Sequence, residues 1–204
     1  MKVKTWLQMT LAATMLVASG AYAQFYVGAG GGYVHGSVDP NATAGNLTIA
    51  LGVPTSTAVN DDDDMAWKLF LGYDLNQNLG FEFGYANLGK YGMTSTNATP
   101  TVVFTNLKID VWYWDVIGKL PVMTNFGLYG KVGATYYTTD STSSGVINVR
   151  DQGMGWKLGV GAQYDFTKNI AVRGEYERYG DMGSGTTTGK TDVDFFNAQI
   201  LWKF

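Results

Sequence analysis

The sequence predicts an all-β protein, an eight-stranded antiparallel up-and-down transmembrane β-barrel. The composition of 27 Gly, 14% aromatic and 15% charged residues suits a β-rich structure better than a helical one. Apolar residues alternate with small or polar residues in eight segments, which is the pattern of strands with two unlike faces. The connections between these segments are alternately long and short, as in membrane barrels with long loops at one mouth and short turns at the other.

Residues 1–23 are predicted to be a cleaved signal peptide, which leaves residues 24–204 as a single barrel domain. Lys2 and Lys4 form a basic start, Trp6–Val17 an apolar middle, and Ala21-Tyr22-Ala23 a small-x-small cleavage site. The apolar run is shorter than the ~20 residues of a spanning helix. The rest of the sequence holds no segment apolar enough for such a helix, so membrane insertion has to use strands.

The first predicted strand, Gln24–Gly36, has aromatic residues near both ends and glycines where a narrow interior leaves little room. The glycine run has neither Rossmann spacing nor a P-loop lysine, so a nucleotide site is not predicted. The absence of cysteine excludes disulfides, thiolate metal sites and a cysteine nucleophile. We therefore expect no cofactor, no bound metal and no nucleic-acid partner.

A polar segment, Ser37–Asp63, follows and is predicted to be the first long loop, because prolines and glycines interrupt it. The run Asp61–Asp64 closes it. Four consecutive carboxylates could bind a divalent cation, since hard cations take several oxygen ligands. The spacing matches no EF-hand, and a solvated acidic loop end is the interpretation that we favour.

A β-hairpin is predicted next, with strands Met65–Leu75 and Leu79–Lys90 joined by the short turn Asn76-Gln77-Asn78. In the first strand Trp67 and the residues at every second position after it form an apolar row. The Thr- and Asn-rich stretch Tyr91–Thr101 is predicted to be the second long loop.

The strand Val103–Leu120 is less regular than the others. Apolar residues occupy odd positions as far as Val111, but Asp115, also at an odd position, is charged. A β-bulge near Trp112 would explain this change, because one extra residue moves every later side chain to the other face. The facing of residues 111–116 therefore stays open at this point.

The remaining segments repeat the alternation of strand, turn and loop. Strands are predicted at Phe126–Thr138, Trp156–Phe166 and Ile170–Gly180, turns at Pro121–Asn125 and Thr167–Asn169, and loops at Thr139–Gln152 and Asp181–Lys190.

The last strand, Asp192–Phe204, has an unbroken apolar row from Phe196 to the terminal Phe204 at every second position. A soluble protein rarely ends on such a strand, because its exposed edge invites pairing with other chains. In a barrel the last strand pairs with the first, and no edge remains.

Several stretches together resemble the OmpA-type eight-stranded outer-membrane barrel family. They are Phe25–Ala29, Gly72-Tyr73, Gly80–Tyr85, Leu128–Gly133, Gly161–Tyr164, Arg173–Tyr176 and the closing Phe204. The resemblance implies a bacterial outer membrane, and the loop pattern places long loops outside and both mature termini in the periplasm. It also implies that Trp202 and Phe204 close the barrel, with the terminal Phe read by the outer-membrane assembly machinery. We expect the membrane part of that family's role, without the peptidoglycan-binding part.

A polar network is predicted inside the barrel, because a charge at the bilayer midplane costs roughly 2–4 kcal/mol on a barrel surface. Its members are Lys68, Glu82, Lys131, Lys157, Gln163, Arg173, Glu175 and Glu177. The resemblance implies that Glu82 and Arg173 form a salt bridge that blocks the lumen. In the family a second carboxylate and a lysine can take over the pairing and open a small conductance. Here Gln163 stands at the carboxylate position, so a plug is favoured over a working gate.

The predicted function is that of a monomeric outer-membrane barrel with a structural or surface-interaction role, and the alternative is a small passive pore. The long loops are expected to contact host or phage surfaces, and Arg178 and Lys190 to lie near lipopolysaccharide phosphates. No enzyme activity is expected, because the single histidine, His35, has only Ser37 and Asp39 near it in sequence. A soluble lipocalin-like barrel would require the reverse arrangement, with apolar side chains inside.

Overall fold

The computed structural model describes residues 23–38, 55–61, 63–97, 102–143, 148–182 and 191–204. They form nine antiparallel strands and no helix, so no helix among these residues is long and apolar enough to cross a membrane. The strands are β1 Gln24–Val38, β2 Thr55–Asp61, β3 Asp63–Asp74, β4 Leu79–Asn97, β5 Val102–Met123, β6 Phe126–Ser143, β7 Asn148–Asp165, β8 Ile170–Met182 and β9 Thr191–Lys203.

Eight of these strands, β1 and β3 to β9, close into a barrel, which confirms the predicted fold class. β1 pairs with β3 and β9, and β4 pairs with β5 to complete the cylinder. The backbone N–H of Phe204 donates to the carbonyl of Phe25 at 2.9 Å, so the last residue still belongs to the seam. β2 is additional, because it pairs only with the far end of β4.

The barrel has two unlike mouths. Three short connections, residues 75–78, 124–125 and 166–169, and both ends of the barrel chain lie at one mouth, which we call the turn mouth. The connections between β1 and β3, β4 and β5, β6 and β7, and β8 and β9 leave from the other, which we call the loop mouth. Transmembrane strands need about 9–11 residues, but β4 has 19, β5 22, and β6 and β7 18 each. The wall formed by β4 to β7 therefore continues beyond a membrane at the loop mouth.

These long strands correct three of the predicted loops. The segment Ser37–Asp63 contains β2, the segment Tyr91–Thr101 is strand as far as Asn97, and β6 and β7 occupy much of Thr139–Gln152. Thr and Asn pair well with a neighbouring strand although they are also frequent in loops, so composition alone did not separate the two. The predicted signal peptide lies outside the described residues except for Ala23.

The outside of the barrel carries one large aromatic residue from each of the eight barrel strands near the loop mouth. The residues are Tyr33, Trp67, Tyr85, Trp112, Tyr136, Trp156, Tyr176 and Phe196. A second aromatic group lies near the turn mouth and includes Phe81, Tyr164, Phe166, Trp202 and Phe204. Aliphatic side chains such as Leu158 and Val160 cover the outside between them. Two aromatic girdles around an apolar band are typical of barrels that span a bilayer.

The predicted β-bulge near Trp112 is wrong. β5 pairs with β6 without a register shift from Thr105 to Pro121, so Ile109, Val111 and Asp115 share the inner face. Trp112 is half exposed on the outer face. The alternation in β5 seemed to change phase because its inner-facing row is apolar near the loop mouth and includes the charged Asp115 nearer the turn mouth.

The strand irregularity lies instead in β4, between Asn87 and Lys90. Gly89 has a φ angle of 83°, and a Cβ there would lie within 3.0 Å of the Asp64 carboxylate. That carboxylate accepts the backbone N–H groups of Met65 at 2.7 Å and Lys90 at 2.6 Å. Asp64 therefore satisfies backbone donors that the bulge leaves without a strand partner.

Candidate functional site

The middle of the lumen holds a single chain of eight charged side chains in which cations and anions alternate. Its order is Arg173, Glu82, Lys131, Glu175, Lys68, Glu177, Lys157 and Asp115. We call it the ion-pair chain. Every one of these side chains is fully buried.

The contacts along the ion-pair chain are direct. Lys131 Nζ lies 2.6 Å from Glu82 and 2.7 Å from Glu175, and Lys68 Nζ lies 2.8 Å from both Glu175 and Glu177. Lys157 Nζ lies 2.5 Å from Glu177 and 2.7 Å from Asp115. Each interior member thus contacts two opposite charges, which is the arrangement that offsets the cost of removing ions from water.

Alternate residues of β8 show how the ion-pair chain is placed along the barrel. β8 starts at the turn mouth, and Arg173, Glu175 and Glu177 follow one another on its inner face toward the loop mouth. Arg173 therefore lies nearest the turn mouth, and Glu177 lies deeper. Tyr179, next on the same face, donates its hydroxyl to Glu177 at 3.2 Å.

Tyrosines complete the hydrogen bonding of the carboxylates. The hydroxyl of Tyr26 donates to Glu82 at 2.9 Å, and that of Tyr129 donates to Glu175 at 2.5 Å. The Arg173 guanidinium lies between these two rings, 5.0 Å and 4.9 Å from their centroids. Lys157 Nζ lies 3.6 Å from the ring centroid of Tyr113, a cation–π contact at the deep end of the chain.

Glycines on neighbouring strands provide the space for these tyrosines. A Cβ at Gly72 would lie 2.0 Å from the Tyr26 ring, and a Cβ at Gly84 would lie 2.5 Å from the Tyr113 ring. The glycines that the alternation placed on the inner face are therefore required for the tyrosines to lie across the lumen.

All eight residues of the predicted polar network point into the lumen. Seven belong to the ion-pair chain. Gln163 does not, because it lies at the turn-mouth side, where its Oε1 accepts from Arg173 Nε at 2.8 Å and its Nε2 donates to Asp165 at 2.7 Å. The sequence reasoning missed Asp115. If the alternation of inner and outer residues had been assumed to run unbroken from Ile109 to Ile117, Asp115 would have been placed on the inner face.

The turn mouth opens into a cavity of about 820 Å³. Two ion pairs line it, Lys119 with Asp74 at 2.5 Å and Lys203 with Asp165 at 2.8 Å. Gln163 and Tyr129 also line it, and both contact Arg173. Water that enters the turn mouth consequently reaches Gln163 and Tyr129, which contact the first member of the ion-pair chain.

The loop-mouth half of the lumen is different, because most of its side chains are apolar. We call this set the apolar layer. It comprises Val34, Ala66, Ala86, Leu88, Ile109, Val111, Tyr137, Tyr179, Met182, Val193 and Phe195, which are the loop-mouth members of a buried cluster that continues toward the turn mouth through Tyr26, Phe70, Tyr113, Ala171 and Leu201. The charged side chains of the predicted network therefore do not extend through the loop-mouth half of the lumen.

Carboxylates on the outside of the loop mouth receive hydrogen bonds from the aromatic girdle. Tyr85 donates to Asp110 at 2.6 Å, and Tyr176 donates to Asp194 at 2.7 Å. His35 Nδ1 lies 2.8 Å from Asp63, and hydrogen bonds from Tyr33 and from His35 lower the pKa of the Asp63 carboxyl. Arg178 and Lys190 are the residues that we expected near lipopolysaccharide phosphates. Arg178 pairs with Asp192 at 2.8 Å, and Lys190 lies outside the described residues.

Within the described ranges, no three or more His, Asp and Glu side chains are grouped so that they could hold a metal ion. Asp63 and Asp64 of the acidic run are engaged by His35 and by backbone N–H groups, whereas Asp62 lies outside those ranges. The solvated acidic loop end that we favour for Asp61–Asp64 over a cation site stays a prediction.

A closed antiparallel barrel with an apolar, aromatic-girdled outside and a charged interior defines the class of transmembrane β-barrels of bacterial outer membranes. Within that class the chain belongs to the outer membrane protein beta-barrel domain family, whose model matches residues 9–204.

Curated relatives agree with this assignment. Outer membrane protein A of Yersinia pseudotuberculosis is 27% identical over 175 residues, covering 79% of this chain and 48% of the relative. The same protein of Serratia marcescens is 27% identical over 150 residues, covering 70% and 40%. The chain spans less than half the length of these two relatives.

Solved structures share the fold. Neisserial surface protein A has a TM-score of 0.64 at 18% identity, with 91% of this chain and 100% of that chain covered. Ail of Yersinia pestis, in complex with the heparin analogue sucrose octasulfate, has a TM-score of 0.55 at 12% identity, with 90% and 99% covered.

Proposed function

We propose that the protein is a closed outer-membrane barrel whose lumen conducts no ions and whose loop mouth acts as an interaction surface. The observation that carries this proposal is the ion-pair chain, in which eight buried charges alternate and every neighbouring pair is in contact. An ion crossing the lumen would have to displace several of these contacts, and each broken buried pair leaves an uncompensated charge.

The loop mouth faces the cell exterior in this proposal, with both mature termini in the periplasm and the protein acting as a monomer. The longer connections, β1 to β3 and β8 to β9, and the extended wall of β4 to β7 leave from the loop mouth, as extracellular loops do in outer-membrane barrels. Outer-membrane lipid and lipopolysaccharide surround the barrel, and the assembly machinery reads Trp202 and Phe204. The loops bind a host or phage surface ligand, a role consistent with the heparin-analogue complex of the similarly folded Ail.

Recording in planar lipid bilayers tests the closed lumen. Purified protein, shown to be folded by a heat-dependent shift on a denaturing gel, should give no discrete conductance steps. A trimeric general porin reconstituted in the same way serves as the positive control. Reproducible unitary steps from the folded protein, absent from heat-denatured samples, would overturn the proposal.

A small passive pore is the second candidate, and one observation favours it. Lys131 Nζ already lies 2.6 Å from Glu82, so this carboxylate keeps a partner if Arg173 moves away. OmpA-type barrels, which the chain resembles, exchange partners in this way, but here Gln163 stands at the position of their second carboxylate. The same bilayer recordings distinguish the two candidates.

Catalysis is not part of the proposed function. His35 contacts Asp63, while its sequence neighbour Asp39 lies outside the described residues and so does the side chain of Ser37. A half-exposed pair on the outside of the wall offers no buried cleft in which a nucleophile could be activated. Purified protein should leave phospholipids intact. Hydrolysis or acyl transfer that disappears in His35→Ala would refute this part of the proposal.

A further inference from the structure

We infer that the apolar layer, and not the Arg173–Glu82 pair at the turn-mouth end of the ion-pair chain, decides whether the lumen conducts ions, and that water reaches the lumen only from the turn mouth. This inference rests on the proposed closed lumen and locates its seal. It makes the Arg173–Glu82 pair replaceable, while the rest of the ion-pair chain and the apolar layer beyond it keep the lumen closed.

The apolar layer reaches around the whole barrel. Seven of the eight barrel strands contribute a buried apolar side chain to it, for example Val34 from β1, Leu88 from β4, Val111 from β5 and Phe195 from β9. Val34, Leu88, Val111 and Phe195 have no exposed surface at all.

The remaining strand, β7, contributes glycines whose space is filled from the neighbouring strand. A Cβ at Gly153 would lie 2.3 Å from the Tyr137 hydroxyl, and a Cβ at Gly155 would lie 2.9 Å from Thr135 Oγ1. Tyr137 is 4% exposed. The side of the lumen next to β7 is therefore occupied as well.

The polar atoms inside this half of the lumen do not form a path for ions. The hydroxyls of Thr135 and Thr139 and the Oδ2 atom of Asp151, which pairs with Thr139 across the strands, are buried and have no hydrogen-bond partner among the described residues. An ion that lost its hydration shell here would find few groups to replace it. Transfer of an unpaired ion into such surroundings is strongly unfavourable, and apolar constrictions of this kind stop conduction by excluding water.

The ion-pair chain has the opposite properties. It begins at Arg173, which contacts Gln163 and Tyr129 in the lining of the turn-mouth cavity. Removing the terminal pair, Arg173 and Glu82, leaves six alternating charges with every remaining contact intact. The chain can therefore be shortened without leaving an unpaired charge, and the apolar layer beyond it is unchanged.

Bilayer conductance of two sets of variants tests the inference. The double variant Arg173→Gln/Glu82→Gln should stay silent. Phe195→Ser, which places a polar group and a gap in the apolar layer, should conduct. Phe196→Ser is the matched control, because this neighbouring phenylalanine is 55% exposed on the lipid side, and it should stay silent. The heat-dependent gel shift shows in each case that the variant is folded.

A second measurement covers the case in which Phe195→Ser fails to fold or all variants are silent. The chain has no cysteine, so single cysteines can be labelled in detergent with a small charged thiol reagent. Gln163→Cys should react at least tenfold faster than Val111→Cys. Equal rates would overturn the inference, and so would a conducting Arg173→Gln/Glu82→Gln variant in a silent wild-type background. Conductance in the wild type would instead overturn the proposed function.

Discussion

Arg173 Nη1 donates to Glu82 Oε1, and this buried contact forms the turn-mouth end of the ion-pair chain. Because both side chains are fully buried, removing one of them leaves the other charge uncompensated. Arg173→Gln or Glu82→Gln alone should lower the free energy of unfolding by about 3–5 kcal/mol, whereas the double variant should lose less than either.

Urea unfolding of the protein in lipid vesicles, analysed as a double-mutant cycle, measures this effect. The pair Arg150–Asp140, with side chains 65% and 48% exposed and 3.6 Å apart, is the control. Its removal should cost about 0–1 kcal/mol. Additive losses at Arg173 and Glu82 would show that the two charges are not coupled.

Gly72→Ala should destabilise the barrel, because the new methyl group would lie 2.0 Å from the Tyr26 ring. Overpacking of this kind costs about 1–3 kcal/mol. Gly174→Ala is the matched control, since nothing lies within 4 Å of a Cβ at that position. Unfolding free energies in vesicles compare the two variants. A loss at Gly174 as large as at Gly72 would mean that backbone effects of glycine, and not the Tyr26 contact, dominate.

Val160 lies on the outer face midway between Trp156 of one girdle and Tyr164 of the other, so it should face the centre of the bilayer. Val160→Arg is therefore expected to cost about 2–4 kcal/mol of unfolding free energy. Gln152→Arg, beyond the girdle on the same strand, should cost little. A small loss at Val160 in vesicles would contradict the assigned membrane position.

The Asp63 carboxyl at the loop mouth should titrate below its ordinary pKa. Hydrogen bonds from Tyr33 and then His35 favour the ionised form and lower the pKa of this group. A lowered folded-state pKa gives stability that is present above the unfolded pKa and is lost as the pH falls through the folded one. NMR titration of the carboxyl carbon measures the pKa, which should rise toward its ordinary value in Tyr33→Phe. An unchanged pKa in that variant would remove the hydroxyl as the cause.

Deleting Phe204 should reduce the amount of barrel in the outer membrane more than it reduces the stability of the folded protein. The Phe204 side chain is 70% exposed on the outside, so its removal opens no gap in the lumen. Immunoblots of outer-membrane fractions, together with unfolding of refolded protein, separate the two effects. Phe166→Ala removes a similarly exposed phenylalanine that is not terminal, and it should leave the membrane amount unchanged. Normal amounts after the deletion would refute an assembly role.

The sequence alone predicted the outer surface well, for a physical reason. Lipid-facing positions such as Leu158 and Ile200 must be apolar at any depth of the bilayer, so every second residue of a strand carries the same information. The inward position of Lys68 and Glu175 followed from the same rule, since neither could face lipid.

The lumen was harder to predict, because no single kind of side chain is required there. Phe195 is buried inside and Phe196 faces lipid, although they are adjacent and identical. Val111 and Asp115 share the inner face, but the change from an apolar to a charged residue along one row led us to expect a bulge. The order of contacts in the ion-pair chain depends on strand tilt and register, and neither can be read from one strand at a time.

The ion-pair chain contains four cations and four anions. A transmembrane potential acts on a group in proportion to its net charge. Since the eight side chains together carry no formal net charge, a voltage across the membrane exerts no net force on them as a unit. Voltage should therefore not drive the filling of this lumen toward either mouth.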